Sequence, residues 1–416
     1  MQTTPKSLRL HIGIFGRTNV GKSSFLNMLA GQDVAITSPV AGTTTDVVEK
    51  PTELLPLGPV VFLDTAGLLD VSLLGEKRLE RTRRALDRSD VALVLAEPGV
   101  WEEAEQALVK ELKEKKKPFI VIVNKSDLSP SAKEFSETLK SAGAQTLLCS
   151  SIIKDGREAF MNDLKRLLIQ ICPEDFLRPP ALIGDLVPSG GLAVLVVPID
   201  LQAPKGRLIL PQVQTIRDAL DNDAATLVVK EREYAHALQN LKNPPAVVVC
   251  DSQVIMKVVA DTPKDVKCTT FSILFARFKG DLVELAQGAA HIDALKPHDK
   301  VLIAESCSHH AAEDDIGRVK IPRWLKQYVG GDLKVDHFAG RDYPANLKDY
   351  KLIIHCGSCM LTRGEMLFRI HQAREKGVPI TNYGVAIAFV QGVLPRALSP
   401  FPAALSAFEK ERLLCR

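Results

Sequence analysis

The run Gly16-Arg-Thr-Asn-Val-Gly-Lys22-Ser23 constrains this chain more than any other stretch. It carries the GxxxxGK[ST] spacing, with the alternating apolar residues 8–15 before it and helix-forming Ser24-Phe-Leu-Asn-Met-Leu after it. A strand, a glycine loop and a helix in that order make a phosphate cradle. The glycines let backbone N–H groups converge on phosphate oxygens, and the helix N-terminus adds positive potential. Gly16, Val20, Gly21 and Ser24 belong to this cradle. Lys22 is the candidate to reach the β- and γ-phosphates, and the Ser23 hydroxyl the candidate to ligate Mg2+.

Two further strand ends carry matching chemistry. Residues 60–63 are apolar and end in Asp64-Thr-Ala-Gly67. A carboxylate there can hold the magnesium shell, and the Gly67 N–H can meet a γ-phosphate. Residues 119–123 are apolar throughout and run into Asn124-Lys125-Ser126-Asp127, which resembles the guanine-reading NKxD motif of the GTPase superfamily. That resemblance implies that Asp127 accepts hydrogen bonds from the guanine N1–H and exocyclic amine. Adenine lacks this donor pair, so the nucleotide is GTP. Ser150 and Ser151 stand where the family places its last guanine-contacting loop.

Within that superfamily the chain is similar to the TrmE-Era-EngA-like branch. Gly42-Thr43-Thr44-Thr45-Asp46 resembles switch I, which implies a magnesium-linked threonine at Thr44, with Thr43 the alternative. Leu68 occupies the place where Ras-like proteins keep a water-positioning glutamine. TRNA-modifying members use a glutamate twelve positions after the motif's aspartate, which is Glu76 here; the competing reading is a solvent-facing glutamate at a helix start. Asn19 matches the asparagine with which potassium-activated members hold K+, a positive charge near the β/γ bridge. Lys22, Thr44 and Glu76 are thus the implied catalytic set, and nothing makes Arg17 an arginine finger.

A chain of 416 residues calls for two or three domains, and 46% hydrophobic with 25% charged residues gives each an adequate core. The net charge of +3 argues for neither a nucleic-acid nor a membrane partner. The basic run 110–117 is interleaved with Glu111 and Glu114 and reads as the solvated end of a helix. No stretch approaches the roughly 20 apolar residues that span a bilayer. A strand by Leu8 leaves no room for a signal peptide, so the expected location is cytoplasmic, with reduced or metal-bound cysteines.

The expected fold is α/β in three domains: a doubly wound P-loop domain at 1–172, a small α/β spacer or association module at 178–267, and a C-terminal α/β domain at 268–416. The first ends at a proline-rich linker, 172–180. The middle segment offers strands at 192–197, 226–229 and 246–250 but no chemical motif. Cys250 reads there as core, and Asp251 as a helix cap.

The last segment alternates strand and helix again, which implies a parallel sheet. In such sheets ligands bind beyond the carboxyl ends of the strands. Residues 300–304 lead to Cys307-Ser308-His309, and 351–355 lead to His355-Cys356-Gly357-Ser358-Cys359. Both cysteine groups therefore share one sheet edge. A helix start after Cys359 would lower the thiol pKa values. Cys268 falls outside the pattern, and Cys415 reads as part of a loose tail. Three thiolates without a fourth fit an iron–sulfur cluster with one distinctive iron, with His309 and His355 as adjacent candidate ligands. Structural zinc is the competitor and buried or redox thiols the third reading.

Cys-x-His, a gap in the forties and His-Cys-x-x-Cys, behind a potassium-type GTPase domain, resemble the HydF family of FeFe-hydrogenase maturation GTPases over essentially the whole chain. The resemblance implies a homodimeric scaffold whose middle segment dimerises. It implies a 4Fe-4S cluster held by Cys307, Cys356 and Cys359. It also implies a diiron precursor received from radical SAM maturases and delivered to apo FeFe-hydrogenase, with GTP hydrolysis regulating partner exchange. The chain has no C-x3-C-x-x-C set, so it is not expected to be a radical SAM enzyme itself. The alternative from another class is a regulatory GTPase in RNA modification or ribosome assembly with a structural zinc domain. Against it stand the absent basic patch and the absence of an evident RNA-binding module.

Overall fold

The computed structural model describes residues 5–30, 48–64, 83–153, 156–177, 180–198, 208–306, 315–340, 343–359 and 361–415. The chain divides into two compact units, Met1–Pro179 and Pro180–Arg416. The fold is α/β in both.

The first unit is built on six strands: β1 (Leu10–Phe15), β2 (Val48–Leu54), β3 (Gly58–Asp64), β4 (Val91–Ala96), β5 (Phe119–Val123) and β6 (Thr146–Leu148). Their order is β2-β3-β1-β4-β5-β6, and only the β2–β3 pair is antiparallel. β1 and β4 are buried along their whole length, as continuous apolar runs in a parallel sheet must be. The register sets Asp64 beside Ile14, two residues before Gly16. Separate apolar clusters cover the two faces, one around Phe25, Leu164 and Leu168, the other around Leu86, Leu108 and Leu112.

The second unit contains two all-parallel sheets. The first comprises β7 (Leu192–Val196), β8 (Ala225–Val229), β9 (Val247–Cys250) and β10 (Lys267–Thr270), in the order β10-β9-β7-β8. The second comprises β11 (Lys300–Glu305), β12 (Lys334–Ala339), β13 (Leu352–His355) and β14 (Ile380–Asn382), in the order β12-β11-β13-β14. One continuous core runs from Leu182 to Phe408 through both. The expected boundary between 267 and 268 falls inside β10, which remains the edge strand of the middle sheet.

The helix Phe271–Lys279 is the joint between these sheets, packing on helices Leu210–Asp221, Leu282–Ala290, Arg363–Glu375 and Tyr383–Val390. Its exposed C-terminal carbonyls are met by Arg363, whose Nη1 donates to Arg277 O, Phe278 O and Gly280 O at 3.2, 3.0 and 2.9 Å. Close by, Asp218 Oδ2 accepts from the backbone N–H groups of Leu182, Ile183 and Gly184 at 3.1, 2.7 and 2.8 Å, holding residues 182–184 against the helix Leu210–Asp221.

Two local expectations shift. Asp251 caps a single 3-10 turn, Ser252–Val254, with Oδ1 accepting from Gln253 N at 2.9 Å, and the helix proper runs Ile255–Asp261. The strand–helix alternation after β11 predicts a helix over 316–328; it opens with one wide π turn, Ile316–Lys320, before Ile321–Val329, and Asp315 accepts from Arg318 N there.

The tightest packing is where the helix Leu282–Ala290 crosses β14. A Cβ on Gly288 would stand 1.8 Å from the carbonyl oxygen of Ile380, a backbone atom that cannot swing aside. Gly288→Ala should therefore lower the unfolding free energy of the second unit by about 1–3 kcal/mol, the usual cost of overpacking. A urea denaturation midpoint equal to that of the parent protein would contradict this close approach.

Candidate nucleotide and metal sites

The glycine loop lies where β1 turns into the helix Lys22–Ala30. Gly21 has φ +93°, and a Cβ there would lie 2.5 Å from Asn124 Nδ2, so both backbone conformation and space require glycine. Asn19 is exposed and itself adopts φ +65°, while Val20 is buried. Lys22 folds back on the loop, its Nζ donating to Gly16 O at 2.8 Å and Arg17 O at 2.5 Å. Ser23 and Ser24 are exposed on the first helical turn. Arg17 turns away: its guanidinium is bidentate to Glu105 at 2.6 and 2.8 Å and pairs with Glu102 at 2.8 Å. These two carboxylates, Glu105 first, raise its pKa further.

Asn124 holds three loops together. Its Nδ2 donates to Val20 O at 2.8 Å, and its Oδ1 accepts from Ser151 N at 3.2 Å and Ser151 Oγ at 2.7 Å. At 1% exposure these bonds are shielded from water. Lys125 is in the left-handed region, φ +56°, with Nζ 2.5 Å from Glu97 Oε1, and Asp127 stands exposed beyond it. Ser150 Oγ is buried without a protein partner, an orphaned polar atom beside the loop that the sequence assigns to the base. Cys149 beneath it is structural, its thiol pushed up to about 11 by burial. Asp64 ends β3. Thr43, Thr44, Gly67 and Glu76 lie outside the described residues.

The second site lies at the carboxyl ends of β11 and β13. Their register pairs Ala304 with His355, and Cys356 N donates to Ala304 O at 2.9 Å. Ser306, the residue before Cys307 in sequence, then donates to Cys356 Sγ from its N–H at 3.3 Å, and its Oγ stands within hydrogen-bond distance of the same sulfur, also at 3.3 Å. Cys356 and Cys359 are half-buried. Cys307 and His309 lie outside the described residues.

Between the two cysteines Ser358 has φ +54° and is buried; its Oγ meets His355 Nδ1 at 3.0 Å and donates to Cys356 O at 3.2 Å and Met366 Sδ at 3.0 Å. Helix Arg363–Glu375 begins four residues after Cys359. Its first turn is closed by a Thr362–Glu365 capping box, with bonds of 2.9 and 3.2 Å. Thr362 thus occupies the N-cap of this helix, and the Ser306 N–H donates to Cys356 Sγ.

His355 is fully buried. Burial first, then the charge of Arg369, lowers its pKa to about 3, so the ring is neutral at pH 7. Its Nε2 is a buried atom without a protein partner. Sequence reasoning missed the polar groups around this edge. Glu305, 1% exposed, accepts from Tyr383 OH at 3.3 Å and pairs with Arg318 at 3.3 Å. Arg369, also buried, lies 4.3 Å over the ring of Tyr343. Only Glu305 carried a sequence signal, as a charge closing an apolar strand. His355, Cys356 and Cys359 do not form a three-donor group. Among the described residues, the group whose ligand atoms all approach within 4.8 Å is His291, Glu411 and Cys415. No helix among the described residues is long and apolar enough to cross a membrane.

Residues 11–125 match the family model described as a 50S ribosome-binding GTPase. Residues 182–280 match the hydrogen maturase F dimerization domain, and 283–400 the hydrogen maturase F tetramerization domain. The tRNA modification GTPase MnmE of Lactobacillus helveticus is 40% identical over 148 residues, covering 35% of this chain and 31% of that protein. MnmE of Chromobacterium violaceum is 41% identical over 130 residues, covering 31% of this chain and 28% of that protein. This chain thus spans about a third of the length of these curated relatives. The G domain of the T. maritima FeoB iron transporter is 21% identical, covers 39% of this chain and 98% of that domain, and has a TM-score of 0.32.

A glycine loop, an NKxD loop and a parallel sheet in one unit, followed by a dimerization and a tetramerization domain in the other, define a multidomain P-loop GTPase. The two maturase domains take in more than half of the sequence, and the chain belongs to the HydF family, that of hydrogen maturase F.

The Asn124 linkage makes a direct prediction. Asn124→Ala leaves Val20 O and Ser151 without their buried partner. It should weaken GDP binding by about 10- to 100-fold, the equivalent of about 1.4–2.7 kcal/mol. Calorimetric titration of the folded variant tests this, and an unchanged Kd would refute the linkage as what aligns the loops.

Proposed function

We propose that this chain is a GTP-hydrolysing scaffold that holds a 4Fe-4S cluster, carries a diiron precursor as cargo and delivers it to apo FeFe-hydrogenase. In this reading radical SAM maturases supply the precursor. The observation that carries it is the β11–β13 register, with Ser306 donating to Cys356 Sγ immediately before Cys307, in a chain of the HydF family.

Cys307, Cys356 and Cys359 are the proposed cluster ligands. The donor chemistry fits: two half-buried thiols on one loop, with the Ser306 N–H donating to one sulfur and the Ser306 hydroxyl beside it, free to donate once that sulfur is a thiolate. His309 and His355 are candidates for the remaining position. For His355 the unpartnered Nε2 is the supporting observation, while Ser358 and the Cys356 carbonyl hold Nδ1. A cluster with three protein thiolates supplies one iron free to take an exchangeable ligand.

In the first unit, Lys22 meets the β- and γ-phosphates of GTP, and Ser23, Thr44 and Asp64 surround Mg2+. Asp127, beyond Asn124 and Lys125, reads guanine, with Ser150 and Ser151 behind the base. Glu76 orients the attacking water. Asn19, exposed at the apex of the loop, holds K+ where another GTPase would use an arginine, and Arg17 is already committed to Glu105 and Glu102. Residues 182–280 dimerise the chain, and 283–400 assemble it further. The scaffold is expected in the cytoplasm.

Anaerobically purified protein should contain iron and acid-labile sulfide and give an EPR signal on reduction. Cys356→Ala should lose these and leave GTP turnover unchanged, because the two sites belong to different units. Zinc without iron or sulfide in the parent protein would sink this reading in favour of a zinc-stabilised regulatory GTPase. Replacing K+ by Na+ should slow GTP hydrolysis at least about tenfold, below the roughly 10²–10³ that one donor to transition-state charge is worth, because Na+ still supplies a positive charge. Equal turnover in the two salts would remove the role given to Asn19.

A further inference from the structure

Cys415 is not in a loose tail. It closes the helix Pro402–Cys415, and its side chain packs at the edge of the core of the second unit. Glu411 lies four residues earlier and so on the same helical face. The helix packs along Leu282–Ala290 and along the turn His291–Ala294 that follows it. His291 Nε2 stands 3.1 Å from Glu411 Oε1, and the imidazole, carboxylate and thiol ligand atoms all lie within 4.8 Å of one another.

Groups other than these three hold the frame. Arg412 Nε donates to Asp293 Oδ2 at 2.7 Å, and Tyr328 OH donates to the other oxygen of the same carboxylate. The Arg412 guanidinium also lies over the rings of Phe389 and Phe408, at 5.5 and 5.8 Å. The last helical turns and the His291 turn are therefore clamped together without help from the three donors.

We propose that His291, Glu411 and Cys415 bind a single Zn2+ ion, distinct from the Cys356–Cys359 site, with a fourth position open to water. One nitrogen, one sulfur and one carboxylate oxygen suit a borderline-soft ion and do not suit Ca2+ or Mg2+, which take oxygen ligands. Bond lengths of about 2.0–2.3 Å around a tetrahedral ion put its ligand atoms about 3.3–3.6 Å apart. His291 and Glu411 are already near that separation, and a small side-chain rotation brings Cys415 to it. The ion would clip the last helix of the second unit to the turn at His291, and by binding only the folded chain it would raise that unit's stability. The proposal is independent of the cluster reading.

The test uses the full chain carrying Cys307→Ala, Cys356→Ala and Cys359→Ala, so that the other proposed metal site cannot compete. Titrated with Co2+, it should take up one equivalent with a near-ultraviolet thiolate-to-cobalt band, which Zn2+ then displaces. Adding Cys415→Ser should abolish the band. It should also weaken Zn2+ by at least about 100-fold, beyond the 10- to 100-fold that loss of a supporting partner costs. Adding His291→Ala or Glu411→Gln instead should weaken the metal and keep the band. Zn2+ should raise the melting temperature of the parent triple variant and not that of its Cys415→Ser derivative, and the metal-free melting temperatures of the two should agree. Binding of less than one equivalent, or a band and affinity unchanged by Cys415→Ser, would overturn the proposal and leave only a His291–Glu411 ion pair beside a thiol.

Discussion

Strand polarity is the constraint on which the rest of this molecule depends. All three sheets are parallel apart from the β2–β3 pair, so successive strands deliver their following loops to one edge. In the first unit that edge gathers the glycine loop after β1, Asp64 at the end of β3 and the Asn124 loop after β5. In the third sheet it gathers Ser306 after β11 and Cys356 after β13. Residues tens of positions apart in sequence thereby become neighbours without any long-range recognition between the loops themselves.

Polarity alone gives proximity, and hydrogen bonds convert proximity into alignment. The two candidate sites solve this in the same way. Asn124 spends its whole amide on Val20 and Ser151, so the loops that follow β1, β5 and β6 become one rigid surface. Ser306 meets Cys356 Sγ through both its N–H and its hydroxyl, and Ser358 pins the same loop through His355 and Met366. In each case the side chain that aligns the site is a small polar residue next to the chemically active ones. The cost of burying such a group is met by full pairing, and for that reason removing one partner should be felt well beyond its own contact.

This explains what was legible in the sequence. Continuous apolar runs ending in a polar cluster announced β1, β3, β5, β11 and β13, and the shared edge of β11 and β13 followed from strand–helix alternation. The helix after Cys359 is legible in the sequence, and so is its cap, since Thr362-x-x-Glu365 has the capping-box spacing. What could not be read was tertiary. The alternation is the same whether the second and third sheets are separate or share a core; the packing of the helix Phe271–Lys279, and of Leu394–Ala397 on β10, shows that they share one. The family's tetramerization domain at 283–400 likewise left no separate mark on the sequence, since its residues already read as an ordinary α/β layer.

Burial also sorts the cysteines in a way that composition cannot. Cys149, Cys172, Cys250 and Cys268 are buried, while Cys356, Cys359 and Cys415 are half-buried. Desolvation disfavours a thiolate: it pushes Cys149 and Cys172 up to about 11 and about 12, raises Cys250 and also raises the half-buried Cys415, while at Cys268 a hydrogen bond with Cys250 outweighs burial and lowers the thiol. A metal must displace a thiol proton and needs room for its other ligands, so buried cysteines in apolar strands are poor candidates whatever their spacing. Cys356 and Cys359 differ from them in standing at a strand end beside polar donors. Cys415 differs in standing one helical turn from a carboxylate that already meets an imidazole. Cys415 reads from the sequence as part of a loose tail; the packing of the last helix against the turn at His291 overturns that reading.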